Sequence, residues 1–206
     1  MSLLLTLKNK YMNKLEIQQR VLQNGKPLDL DKFEWDEKTR TFSTNECNLV
    51  LAFADINNCN FKTSSGCFFK TGSGCSFEAH SQCTFDTGYN CNFKTDDYCS
   101  FTTGSGCSFK TDSYCVFYAR NNCTFETGSK CVFKTSYDCS FKTSSYCSFD
   151  TDSDCSFRAH TECSFKTGNR CNFETSNNCI FFTHDDCNFK TGYWCNFKVG
   201  SGCKFL

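Results

Sequence analysis

The chain has 206 residues and carries no net charge, with 22 basic side chains against 22 acidic ones. Neutrality supplies no long-range field to attract nucleic acid or an anionic membrane, and it is unlike a strongly acidic mimic of DNA. Cysteine (20 residues) and phenylalanine (24) are far above ordinary usage while Pro27 is the only proline, so internal repetition is the first expectation.

Leu3 to Leu5 form too short an apolar run for a signal-peptide core, and no small-residue cleavage site follows. No stretch is long and apolar enough to read as a transmembrane helix. Neither a membrane nor a nucleic-acid partner is expected. Synthesis in a reducing cytoplasm is. From Leu3 to Leu22 the composition favours a helix, with apolar residues at Leu15, Ile17, Val21 and Leu22, ended by Gly25 and Pro27. Phe33-Glu34-Trp35 and Arg40-Thr41-Phe42 flank a polar Asp36 to Thr39 and read as a hairpin. Residues 1–50 are therefore expected to be a helix-plus-hairpin cap over the first edge of a repeat array at 51–206, because an open edge invites pairing.

The array is an octapeptide, C-x-F-x-T-x-x-x. Cysteine recurs every eighth residue from Cys59 to Cys203, nineteen times, and each is followed two places on by phenylalanine, from Phe61 to Phe205. Threonine stands four places after the cysteine in fourteen of the eighteen complete octads. A degenerate octad, with Leu51, Phe53 and Asp55 in the three key places, is expected to open it. Side chains two apart share one face of a strand. So many phenylalanines cannot all face water, which puts the C-x-F-x-T face inside. Triplets such as Gly104-Ser105-Gly106 and Asp152-Ser153-Asp154 are turn-formers, so each octad reads as a five-residue strand and a three-residue corner. The expected core ladder includes Cys59, Phe61 and Thr63; Cys99, Phe101 and Thr103; Cys131, Phe133 and Thr135; and Cys171, Phe173 and Thr175.

Charge at the fourth octad position sets the number of octads per coil. Strands stack ~4.8 Å apart, so like charges directly above one another are unfavourable. From Lys62 to Lys198, a spacing of 16 residues gives nine opposite pairs and two like pairs, whereas 24 gives three and seven. The fold class expected is all-β: a two-sided parallel β-solenoid of two octads per coil. A second period appears at Ala79, Ala119, Ala159 and Val199, where threonine fails every 40 residues. Five octads make two and a half coils, so this period reads as a unit of duplication.

No constellation carries evident chemistry. Zinc sites want close pairs such as C-x2-C with histidine nearby, whereas these cysteines lie eight apart and His80, His160 and His184 are scattered. Stacked cysteines point the same way, which disfavours a disulfide ladder. Free thiols acting as small buried hydrophobes fit a reducing compartment, with Cys47 the most reactive. Glu78, Glu126 and Glu174 alternate with lysines and do not cluster as a carbohydrate-active site would require. No enzyme activity and no metal or cofactor are expected. Val116, Tyr118, Ile180 and Phe182 interrupt the polar outer positions and are a candidate contact patch. Cys203, Phe205 and Leu206 form a candidate assembly edge for dimers or filaments.

The kernel Cys-Asn-Phe (59–61, 91–93, 171–173, 187–189, 195–197) resembles the small-x-large core of pentapeptide-repeat proteins, lengthened by a corner. The full unit, as in Cys163-Ser164-Phe165-Lys166-Thr167-Gly168, is similar to octapeptide-repeat proteins of bacteriophages and large DNA viruses. The lead-in Gly25-Lys26-Pro27-Leu28 to Phe33-Glu34-Trp35-Asp36 is similar too. The resemblance implies a β-solenoid and a rigid structural or interaction scaffold, such as a component of a viral particle, tail or fibre. A partner-binding module of pentapeptide-repeat type and a β-helical carbohydrate-active protein are the alternatives. No functional residue carries over.

Overall fold

A computed structural model describes residues 12–206. A short helix α1 (Lys14–Gln18) opens it. Asn13 and Glu16 cap it reciprocally, each side chain accepting from the other's backbone N–H at 3.0 Å, and Ile17 is its buried anchor. Leu3 to Tyr11 of the expected helix lie outside the described residues. Val21 and Leu22 belong instead to a strand, β1 (Val21–Gln23), which turns at Asn24-Gly25, both at positive φ, into β2 (Lys26–Pro27). Gly25 thus makes a hairpin and does not stop a helix. The reason is tertiary: β1 pairs antiparallel with β5 (Leu49–Phe53) and buries β-branched Val21 completely. The second hairpin, β3 (Glu34–Asp36) with β4 (Thr41–Ser43), forms as read, with Trp35 opposite Phe42. Each hairpin lies on the N-terminal edge of one of the two sheets.

The octads then build strands β6 (Asn60–Thr63) to β24 (Lys204–Phe205), alternating between two 12-stranded sheets. The odd-numbered octad strands extend the first sheet from β5, and the even-numbered ones extend the second from β4. Neighbours within a sheet are parallel and 16 residues apart, as in Phe93 beside Phe109 and Phe117 beside Phe133. The fold is the two-sided, two-octad solenoid. The octad strands before β24 are three or four residues long, not five. The residue just before each cysteine sits in the left-handed region, as at Asn122 (φ 56°) and Lys130 (φ 57°), which bends the chain at the cysteine itself. The opening octad is also two residues earlier than expected. Leu51 stands beside Phe69 and Phe53 beside Thr71, so Leu51 and Phe53 take the Phe and Thr places, while Asp55 leaves the strand for a bidentate pair with Arg20.

The interior is two interlocked phenylalanine columns. Phe133 stacks on Phe117 (4.9 Å, 3°) and Phe149 (4.8 Å, 4°) in its own sheet. It meets Phe125 and Phe141 of the opposite sheet edge-on, at 5.3 and 5.2 Å. Strand spacing sets the first distance, and ring quadrupoles favour the second geometry. The cysteines flank this core. From Cys75 to Cys195 each octad thiol lies against corner carbonyls of its own coil and the one before; Cys131 Sγ donates toward Ser129 O and Asp112 O, both at 3.6 Å. That explains cysteine over alanine here: a small hydrophobe with a weak donor suits a site where two carbonyls point inward. All twenty thiols are free, and Cys47 is the exposed one. Burial pushes the Cys59 thiol above its usual pKa. Most threonines are buried and donate to the next residue's carbonyl, as Thr103 does to Gly104 O at 3.4 Å. Thr63 Oγ1 has no partner, and Thr175 is only half-buried. The threonine breaks alternate in place: Ala79 and Ala159 fall in the second sheet, Ala119 and Val199 in the corners leaving the first.

Candidate functional site

The parity of two octads per coil sorts the outer side chains onto two unlike faces. On the second sheet, position four is a column of ion pairs. Glu78 lies between Lys94 (2.7 Å) and Lys62 (3.7 Å), Lys142 pairs with Glu126 (2.8 Å), and Glu174 lies between Arg158 (2.8 Å) and Lys190 (3.2 Å). The hydrogen bond from Lys142 holds the Glu126 carboxyl below its ordinary pKa, and those from Arg158 and Lys190 do the same for Glu174. Each of these acids is separated from the next by three coils and neutralised by its neighbours. The other outward column of this sheet is Ser, Asn and Thr from Asn60 to Asn188.

The first sheet differs. It carries Val50, Phe68, Tyr118, Val132, Ile180 and Phe182, all exposed, together with half-buried Val116. The four residues of the expected contact patch therefore share a face. They do not form one patch: Val116 and Tyr118 lie on β13 (Val116–Tyr118), Ile180 and Phe182 on β21 (Ile180–Phe182), four coils or ~19 Å further along.

The corners carry a second asymmetry, which octad-by-octad reading misses. Every residue before an octad cysteine has positive φ. In corners leading into the second sheet, that place holds Gly, Asn or Asp, except at Arg170. In corners leading into the first sheet it holds Gln82, Tyr98, Tyr114, Lys130, Tyr146, Glu162 and Trp194, with Gly66 and Asn178 as exceptions. A left-handed conformation costs such residues ~1–2 kcal/mol each. Among the octad corners, Arg170 apart, the large left-handed side chains all stand in those leading into the first sheet. Tyr98 stacks on Tyr114 (4.8 Å), and the Lys130 ammonium lies over the Tyr114 ring and donates to its hydroxyl at 2.8 Å. Tyr146 donates to Glu162 at 3.2 Å. The signal was available in the sequence: taking the eighth position in every second octad separates the two corners.

The expected assembly edge lies on the last described coil, where Phe205 and Leu206 are exposed and Cys203 is half-buried. An open groove is lined by Asp31 to Glu34 and by Lys62, Glu78 and Lys94 of the second sheet. Among the described residues no group of three or more His, Cys, Asp or Glu converges as a metal site, and no helix is long and apolar enough to cross a membrane. His80 Nδ1 lies 2.9 Å from Asp96 Oδ2 on an exposed corner.

These features define a class, the two-sided parallel β-solenoid with a sealed aromatic core and two chemically distinct outer faces. Compared with known protein families, curated proteins and solved structures, the chain matches none.

Proposed function

We propose that the chain is a rigid, non-enzymatic scaffold whose first sheet is its recognition face. One observation carries this reading: the outward apolar side chains of the octad strands before the last two coils all lie on the first sheet, while the second is covered by ion pairs and small polar groups. Exposed aromatics beside an uncharged aliphatic column are what protein contact surfaces use. The stacked, hydrogen-bonded coils supply stiffness over ~45 Å, at one strand spacing per coil. The resemblance to octapeptide-repeat proteins of bacteriophages and large DNA viruses supports a particle, tail or fibre as the setting. End-to-end association through Phe205 and Leu206 belongs to the same proposal, supported by their exposure.

The partner-binding alternative is favoured by the corner asymmetry, since a passive spacer gains nothing from left-handed tyrosines. Affinity capture with the native chain, with Tyr118→Lys/Phe182→Lys on the first sheet, and with Ser108→Lys/Ser156→Lys on the second separates the readings. Partners retained by the native chain and the second-sheet variant, but lost by the first-sheet variant, support recognition. Identical profiles for all three would leave a spacer.

A further inference from the structure

We infer that the thiol columns make folding conditional on reduction: the chain forms its solenoid only while the octad cysteines are free thiols, and the finished solenoid shields them from oxidation. The inference is independent of the scaffold reading, because it concerns the core and not the outer faces.

The octad cysteines form two columns in different corners of the cross-section. Cys131, leading into the first sheet, faces Ser129 O and Asp112 O, whereas Cys123, leading into the second, faces Asn121 O and Gly104 O. The phenylalanine columns stand between them. From Cys131 to Thr135, at the far corner, the strand rises roughly 13 Å, whereas the Cα atoms of a disulfide lie at most ~7 Å apart. A bond between the columns is therefore out of reach.

Within a column, the backbone ladder holds neighbours apart. Val132 N donates to Cys115 O and Ser148 N to Cys131 O, both at 3.0 Å, so Cys115, Cys131 and Cys147 repeat at the strand spacing with parallel side chains. Parallel Cβ atoms in register stand ~4.8 Å apart, beyond the ~3.5–4.5 Å that a disulfide allows. The thiol proton is also in use. It lies between two carbonyl oxygens 3.6 Å from Cys131 Sγ, and a disulfide sulfur would face the same oxygens with lone pairs alone. From Cys59 to Cys187 no octad cysteine is more than 2% exposed, so close packing leaves no room for a bulkier oxidised form.

The unfolded chain has none of these restrictions. Its thiols are exposed, and cysteines eight residues apart reach one another freely. With a small-molecule disulfide as oxidant, one protein thiolate attacks it and releases a small thiol; a second protein thiolate then displaces the other. One protein disulfide forms, its two sulfurs pass two electrons to the oxidant, and their two protons leave on the two small thiols. A disulfide ordinarily favours folding by restricting the unfolded chain. Here each one takes two cysteines out of sites that only thiols fill, so oxidation favours the unfolded chain. Folding and oxidation compete, and whichever comes first excludes the other.

Refolding of the full chain from urea tests this, in reduced and in oxidised glutathione, read by far-ultraviolet circular dichroism and a count of free thiols. In the reduced buffer the β-sheet signal is expected to return with all twenty thiols free. In the oxidised buffer nearly all of the signal is expected to be lost, with intramolecular disulfides formed, and dithiothreitol is expected to restore it. A third sample, folded before the oxidised buffer is added, is expected to keep its signal, with mixed disulfides confined to exposed Cys47 and half-buried Cys195 and Cys203. The Cys47→Ser chain is expected to behave identically in all three, which removes the exposed thiol as the cause.

Full recovery of the signal with protein disulfides in place overturns the inference, as does a mapped disulfide between column neighbours such as Cys115 and Cys131 in a folded chain. Where refolding fails in both buffers, the prefolded sample decides. Oxidation of its buried thiols at least about a hundredfold slower than in urea sustains the inference, and oxidation at the rate seen in urea overturns it.

Discussion

Replacing Phe133 with alanine tests the aromatic core at its middle. Phe133 is fully buried, and its ring touches four others: Phe117 and Phe149 in the same column, Phe125 and Phe141 across it. Loss of a buried phenylalanine side chain costs ~3–5 kcal/mol, with the spread set by how far the site can collapse. Collapse is resisted here, because the backbone ladders above and below hold neighbouring coils at the strand spacing whatever the side chain is. Losing the stacked and edge-on contacts pushes in the same direction. The expected loss is therefore in the upper half of that range, about 4–5 kcal/mol. Phe197→Ala in the last full coil is the contrast: its ring is 37% exposed, and about 1–2 kcal/mol is expected for its partial burial. Urea unfolding with native-state hydrogen exchange is the assay, since repeat arrays can open locally and a single global transition would miss it. A loss under about 1 kcal/mol for Phe133→Ala, or equal losses at the two sites, would refute a sealed aromatic interior.

Thiol titration of the native chain is expected to label Cys47 rapidly and half-buried Cys195 and Cys203 slowly, with all twenty cysteines reacting once urea is added; rapid native labelling of Cys131 would contradict the packing. Glu78, Glu126 and Glu174 have pKa values held down by their lysine and arginine neighbours, so the stability they contribute is present above the ordinary glutamate value of 4.5 and lost as pH falls below it. A thermal midpoint unchanged between pH 7 and pH 3 would show that these pairs contribute nothing. The Cys59 thiol is shifted the other way, so the stability linked to its protonated form is present below pH 9.0, the unfolded value, and is lost as pH rises beyond it; circular dichroism should show a lower midpoint at pH 10.5 than at pH 8. Gly106→Ala is expected to cost about 1–2 kcal/mol, because φ is 72° there and an added Cβ would lie 2.3 Å from Asn90 Oδ1. A neutral result in thermal denaturation would mean the corner can relax.

Much of this molecule is legible in the chain because the repeat does the averaging. A cysteine, phenylalanine and threonine two apart, repeated without a break in the first two, define an inward face before any partner strand is known. Charge spacing then gives the coil, since Lys62, Glu78 and Lys94 can neutralise one another only as direct neighbours. Where repetition stops, so does legibility. Val21 and Leu22 have helical spacing with Leu15 and Ile17, but an open edge at β5 draws them into a strand. The first octad slips by two residues because Leu49, Leu51 and Phe53 fit the inward places better than Leu51, Phe53 and Asp55, whose carboxylate is held by Arg20.

The inward face, the octad and the sixteen-residue coil follow from side-chain alternation and the spacing of like charges along the chain. Which side chains share an outer face follows from the stacking of the coils. Tyr98, Tyr114, Tyr146 and Trp194 look like isolated corner residues along the chain, and Val116 and Ile180 like scattered exceptions. Folding two octads to the coil places all of them on one side of the rod, because parallel strands in register put every second octad on the same sheet.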